Sequence, residues 1–188
     1  MTPPDTIVAP ATTSGEAALA VIRVSGPLTE DLAEGIFGSR APVRQATLGT
    51  YHDMQGQALD QLIHIRYAEG HSYTGEALLE LMPHGNPWLV RRILNDLLAR
   101  GCRLAEPGEF TRRAFLNGKM DLSQAEAVAQ LIQARSDRAL EAARRQLAGS
   151  VGRTVRAFAD RLLGITALLE AYLDFPEEDL PQIGRAHV

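Results

Sequence analysis

The sequence predicts an α+β protein: a mixed α/β domain over residues 1–118, then the first part of a helical domain, a long antiparallel hairpin, over 119–188. Three observations carry this. Before about residue 118, short β-like runs alternate with turns rich in Gly, Pro and Asn. After it, apolar residues recur at helical spacing to about residue 174. The chain is 45% hydrophobic and 22% charged over 188 residues, enough to bury a core, which excludes a largely disordered chain.

In order, Asp5–Ala9 reads as a first strand. Ala18–Val24 reads as a second, with Ile22 and Val24 on one face and Val21, Arg23 and Ser25 on the other. Gly26-Pro27 ends it, and Pro27 suits the first turn of a helix running to about Phe37. Ala46–Asp53 and Leu59–Tyr67 form paired strands around a turn at Met54-Gln55-Gly56-Gln57. Ala77–Met82 is a further strand. Asn86 caps a helix with Pro87 at its first position, which Gly101 closes. A short helix covers Glu109 to about Leu116, with Phe110 and Phe115 expected in the core.

In the second half, Ser123-Gln124-Ala125-Glu126 reads as a capping box before one helix to about Ala148, with Gly149 as its stop. A second helix starts near Val151. Its apolar positions Val151, Val155, Phe158, Leu162, Ile165, Leu169 and Tyr172 step by 4,3,4,3,4,3, a heptad seam. Pro176 ends it, and the acidic run Glu177-Glu178-Asp179 follows. Two helices alone bury little surface, so the hairpin needs a partner, and the chain is expected to be an N-terminal piece of a longer protein.

Several function classes fall away. No apolar run approaches a membrane span and Met1–Pro10 lacks a signal-peptide pattern, so a cytoplasmic protein with no membrane contact is expected. One cysteine, Cys102, excludes an internal disulfide and reads as structural. His52, His64, His71, His84 and His187 form no ligand pair, so no metal site is expected; His64 reads as a surface or partly buried residue. A net charge of −4 excludes nucleic-acid binding by bulk charge. Residues 135–161 hold seven Arg against Asp137, Glu141 and Asp160, a solvated face before an RNA contact. Gly118-Lys119 resembles the end of a phosphate-binding loop, but Met120 replaces the Ser/Thr and Arg113 the first Gly. No catalytic residue stands out.

Three features remain as binding candidates. Glu80 interrupts the apolar run Ala77–Met82, and a carboxylate there needs a partner. It either points to solvent on an edge strand or pairs with Arg23 or Lys119 and accepts hydrogen bonds from a polar ligand such as an amino-pyrimidine ring. Lys119 is the only lysine beside 18 arginines, a compact ammonium where every other cation is a guanidinium. His84-Gly85 lies in a strand-to-helix loop, where Gly85 would let a ligand approach the backbone.

The chain resembles a known family at Asp5–Ala9, Val21–Gly26, Tyr73-Thr74-Gly75-Glu76, Leu79-Glu80-Leu81, His84-Gly85, Pro107–Leu122, Gln124–Ala127 and Asp174–Glu178. These segments, in this order and spacing, are similar to the tRNA modification GTPases of the MnmE (TrmE) family, over nearly the whole chain. The resemblance implies an N-terminal domain that binds a tetrahydrofolate, typically 5-formyltetrahydrofolate, and forms a homodimer. It also implies a helical domain interrupted by a GTPase domain that this chain lacks, so that GTP, Mg2+ and K+ belong to the missing part. The family's flavin-dependent partner, MnmG, acts with it on C5 of the wobble uridine of tRNA, with the folate supplying the one-carbon unit. By motif position Arg23, Glu80 and Lys119 are the implied folate contacts. The chain departs from the family pattern at Ser14-Gly15-Glu16-Ala17, at Asn86 with Trp88 close behind, and over Gln182–Val188. The alternatives are a folate-dependent aminomethyltransferase-like enzyme, which needs no long helical hairpin, and a pure assembly module.

Overall fold

The computed structural model describes residues 5–174. The run Glu177–Asp179 and the segment Gln182–Val188 lie outside the described residues. Two compact units divide the chain between Met120 and Asp121, and the architecture is α+β.

The first unit is built on a six-stranded sheet in the order β4-β5-β6-β3-β1-β8. Its strands are β1 (Ile7–Pro10), β3 (Ile22–Ser25), β4 (Thr47–His52), β5 (Ala58–Tyr67), β6 (Leu78–Met82) and β8 (Arg103–Leu104). All pairings are antiparallel except β1 with β8. A separate ribbon joins β2 (Ala17–Leu19) to β7 (His84–Gly85). The run expected as one strand at Ala18–Val24 is therefore two. Between them the Ala20 N–H donates to the Pro83 carbonyl and the Val21 carbonyl accepts from Ala11, so the backbone changes partners there. Gly85 is approached closely, but by protein: a Cβ there would lie 2.5 Å from the Ala17 carbonyl oxygen of β2.

Helices α1 (Thr29–Phe37) and α2 (Pro87–Ala99) cover one sheet face. Leu32, Ala33 and Ile36 from α1 and Ile93 and Leu97 from α2 pack on Val8, Ile22, Val24, Leu62, Leu79 and Leu81. Asn86 caps α2 by accepting from the Trp88 and Leu89 N–H groups, with Pro87 in the first turn. The β4–β5 hairpin turns on Asp53, whose side chain accepts from the Gln55 and Gln57 N–H groups. Asp96 of α2 pins that hairpin, accepting from the Tyr51 hydroxyl (2.8 Å), the Met54 N–H and Arg100.

α3 (Glu109–Leu116) buries Glu109 and Ala114. Neither phenylalanine is core: Phe115 is exposed and Phe110 half-buried. The Glu109 carboxylate sits inside an ion-pair network instead. It receives Arg103 Nη1 and Nη2 at 3.0 and 2.7 Å, Arg113 Nη2 at 3.1 Å and the Glu106 N–H at 2.7 Å. Arg113 also bonds Asp5 and Glu76.

The second unit holds α4 (Leu122–Gln133), α5 (Asp137–Leu147) and α6 (Ser150–Asp174). The helix expected over 123–148 is broken at 134–136. Ser136 takes an extended backbone and accepts from the Ala139 N–H, starting a new helix. The antiparallel hairpin is thus α4 against α5, tied where α4 begins and α5 ends by Gln124 Nε2 to the Leu147 carbonyl and Gln146 Nε2 to the Ser123 carbonyl. The capping box is also two residues earlier than expected. Asp121 accepts from the Gln124 N–H, and Gln124 accepts from the Asp121 N–H. α6 buries no residue, and its seam at Val155, Phe158, Leu162, Ile165 and Leu169 is exposed.

Candidate functional site

Strand alternation places Arg23, Glu80 and Ile65 in register across β3, β6 and β5, on the face opposite α1 and α2. β6 is an interior strand, so Glu80 does not sit on a sheet edge. Its carboxylate is held from both sides. Arg23 Nε and Nη2 donate to Oε1 at 3.0 and 2.7 Å, and the Tyr67 hydroxyl donates to Oε2 at 3.2 Å. The Glu80 side chain is 14% exposed and that of Arg23 26%, so the pair is partly withdrawn from water but reachable. The Arg23 guanidinium also lies 5.1 Å from the Tyr73 ring centre and 5.8 Å from that of Phe110. Burial first, and then the Glu80 carboxylate, push the Tyr67 phenol above its ordinary range.

Lys119 has different partners. Its ammonium donates to the Gly70 carbonyl at 3.0 Å, and its methylenes run past Gly75, where a Cβ would meet Lys119 Cγ at 3.3 Å and Asn117 Cβ at 2.9 Å. Gly75 has φ +84°, so the turn itself also requires glycine. Gly70, Gly75 and Asn117 line an open cleft of about 900 Å³. The structure thus brings Arg23 and Glu80 together and sets Lys119 on the 70–75 loop, which also carries Tyr73. Tyr67, Tyr73 and Phe110 were missed by sequence reasoning. Tyr67 carried a strand signal, since it lies on the same strand face as Ile65, opposite Glu80, while Tyr73 and Phe110 stood within the resemblance segments without being read as site residues.

The remaining candidates resolve differently. His64 is 3% exposed rather than a surface residue, stacked on Phe37 with ring centres 3.7 Å apart, because β5 is an interior strand covered by α1. Its Nδ1 has no partner. His84 is exposed and pairs with Asp60 at 2.9 Å. Burial pushes the Cys102 thiol up to about 11, an unreactive state. Arg144 and Arg145 both bond Glu141, and Arg153 caps the Ala148 carbonyl. Among the described residues, no group of three or more His, Cys, Asp or Glu is placed to hold a metal ion, and no helix is long and apolar enough to cross a membrane.

Family models settle the kinship. The model described as the GTP-binding protein TrmE N-terminus matches residues 6–119, and the MnmE helical domain matches residues 122–188. The chain belongs to the MnmE (TrmE) family. Among its relatives, the tRNA modification GTPase MnmE of Opitutus terrae is 54% identical over 96% of the chain and 40% of its own length. The proteins of the same name from Halorhodospira halophila and Aquifex aeolicus are 48% and 45% identical, over 94% and 97% of the chain. Of those two relatives' own lengths, 38% and 41% are covered. The chain therefore spans about two fifths of the curated MnmE relatives it matches, and corresponds to the MnmE N-terminal region with helical-domain sequence after it.

Proposed function

We propose that this chain is the folate-binding and dimerising portion of a cytoplasmic tRNA modification GTPase acting on C5 of the wobble uridine. It binds 5-formyltetrahydrofolate or a related tetrahydrofolate, which supplies the one-carbon unit. GTP, Mg2+ and K+ belong to a GTPase domain outside this sequence, and tRNA and a flavin-dependent MnmG-like protein are the partners of the whole assembly.

The observation that carries this reading is Glu80: a carboxylate on an interior strand, oriented by Arg23 and Tyr67, on a sheet face that α1 and α2 leave uncovered. A pterin ring offers N–H donors to such a carboxylate, each charge-assisted bond contributing about 1.5–3 kcal/mol. Lys119, whose ammonium rests on the Gly70 carbonyl, supplies a cation suited to a carboxylate of the ligand. The same sheet face supports the homodimer. Leu48, 63% exposed, lies opposite Ile63, which lies opposite Met82, forming an apolar stripe across three strands.

Equilibrium dialysis against 5-formyltetrahydrofolate tests the ligand, and sedimentation at tens of micromolar tests the dimer. Uptake of about one ligand per chain and a dimer that Leu48→Glu dissociates support the reading. A folded chain that takes up none sinks the folate assignment. The assembly-module reading is the alternative: Arg23 and Tyr67 then hold Glu80 as part of the sheet alone. A dimer with no folate uptake would establish it.

A further inference from the structure

The bonding at Glu80 is unequal. Oε1 receives two guanidinium N–H groups of Arg23, which fills both of its lone-pair directions. Among the described residues Oε2 receives only the Tyr67 hydroxyl, so one direction on Oε2 remains for an incoming donor. Arg23 is itself held by its contacts with Tyr73 on the 70–75 loop and Phe110 on α3, which opposes its release from Oε1. The position of Oε2, and the direction of its open lone pair, are therefore set by Tyr67 from the neighbouring strand.

We propose that Tyr67 is a positioning residue of the ligand site: its hydroxyl fixes Glu80 Oε2 as the oxygen that accepts a ring N–H of the bound ligand. This rests on the folate reading above. The carboxylate then makes one well-aimed charge-assisted bond to the ring, rather than a two-oxygen clamp that would expel Arg23. A phenol is protonated across the neutral range at its ordinary value, and burial and the carboxylate push this one higher still, so the positioning persists there. Tyr67→Phe removes the hydroxyl and leaves the half-buried ring in place, which preserves packing.

The test is a double-mutant cycle on the full chain, with 5-formyltetrahydrofolate titrated into the wild type, Tyr67→Phe, Glu80→Gln and the double variant. Tyr67→Phe is expected to weaken binding about three- to tenfold on its own and to add nothing in the Glu80→Gln background. A packing role would lower affinity by the same factor in both backgrounds, and that result overturns the proposal. So does wild-type affinity in Tyr67→Phe, while a loss in Glu80→Gln alone would leave the folate site standing. Absence of binding by the folded wild type overturns the folate reading and this proposal together. A readout independent of ligand is the ultraviolet titration of the tyrosines. Glu80→Gln should lower the midpoint of one phenol, and Tyr67→Phe should remove that phenol from the curve. An unchanged titration in Glu80→Gln would contradict the contact.

Discussion

Replacing Glu109 by Gln should cost the first unit about 2–3 kcal/mol at neutral pH. The carboxylate is 2% exposed and accepts from Arg103, Arg113 and the Glu106 N–H. The hydrogen bonds from Arg103 are the largest influence on it, and together the contacts hold its carboxyl at about 2, against an ordinary 4.5. At about 1.4 kcal/mol per unit, that depression corresponds to roughly 3 kcal/mol. Arg103 is 43% exposed, so water screens part of it and the lower figure is the safer expectation. The sign follows from the depression. The stabilisation is full above pH 4.5, where the unfolded carboxyl is ionised, and is lost as pH falls from 4.5 towards 2. A glutamine keeps the shape but presents an amide N–H₂ to two guanidinium groups whose counter-charge is gone. Urea denaturation followed by circular dichroism at pH 7, 5 and 3 measures this. The wild type should lose stability between pH 5 and 3, and Glu109→Gln should start lower and lose less. Asp5, also held below its ordinary range by Arg103 and Arg113, leaves a residual slope in the variant. A Glu109→Gln protein within 0.5 kcal/mol of wild type at pH 7, with the same acid slope, would refute the reasoning.

Three further outcomes follow from the same bonds. Burial depresses the His64 imidazole below 6.5, so stability should fall as pH drops below 6.5, and His64→Leu should flatten that part of the profile in urea melts. Tyr51 is fully buried with its hydroxyl on Asp96, so Tyr51→Phe should cost about 1–2 kcal/mol in the same melts; a cost near zero would mean Asp96 is satisfied without it. Ser136→Ala removes the cap that starts α5 and should cost about 1 kcal/mol, seen as faster amide exchange confined to the first turn of α5.

Much of this was legible wherever a local rule settles the matter. Asn86-Pro87 starts α2, and Gly56 sits in the β4–β5 turn, because capping and turn chemistry involve neighbours in sequence. Alternation placed Arg23 on the mixed face of its strand and flagged Glu80 as a carboxylate needing a partner, and the structure sets the two opposite each other. What alternation does not supply is strand order. Only the order β5-β6-β3 makes Glu80 interior, brings Tyr67 to its second oxygen and buries His64 beneath Phe37. The break at Ser136 was hidden for the opposite reason. Its flanks are good helix formers on both sides, and the cost of stopping is recovered by packing α5 back on α4, a tertiary gain that no local window contains. Phe115 misled because a large aromatic side chain was read as core by type alone; it stands five positions after Phe110, so the two share no face of α3, which turns Glu109 and Ala114 inward.

The central claim is the folate site at Glu80, and calorimetric titration of 5-formyltetrahydrofolate into the wild-type chain and Glu80→Ala tests it most directly. The account predicts saturable heat for the wild type and a loss of at least tenfold in affinity for a folded Glu80→Ala protein, matching one charge-assisted bond of about 1.5–3 kcal/mol. Equal affinity in the two proteins, or no heat from a folded wild type, would contradict it.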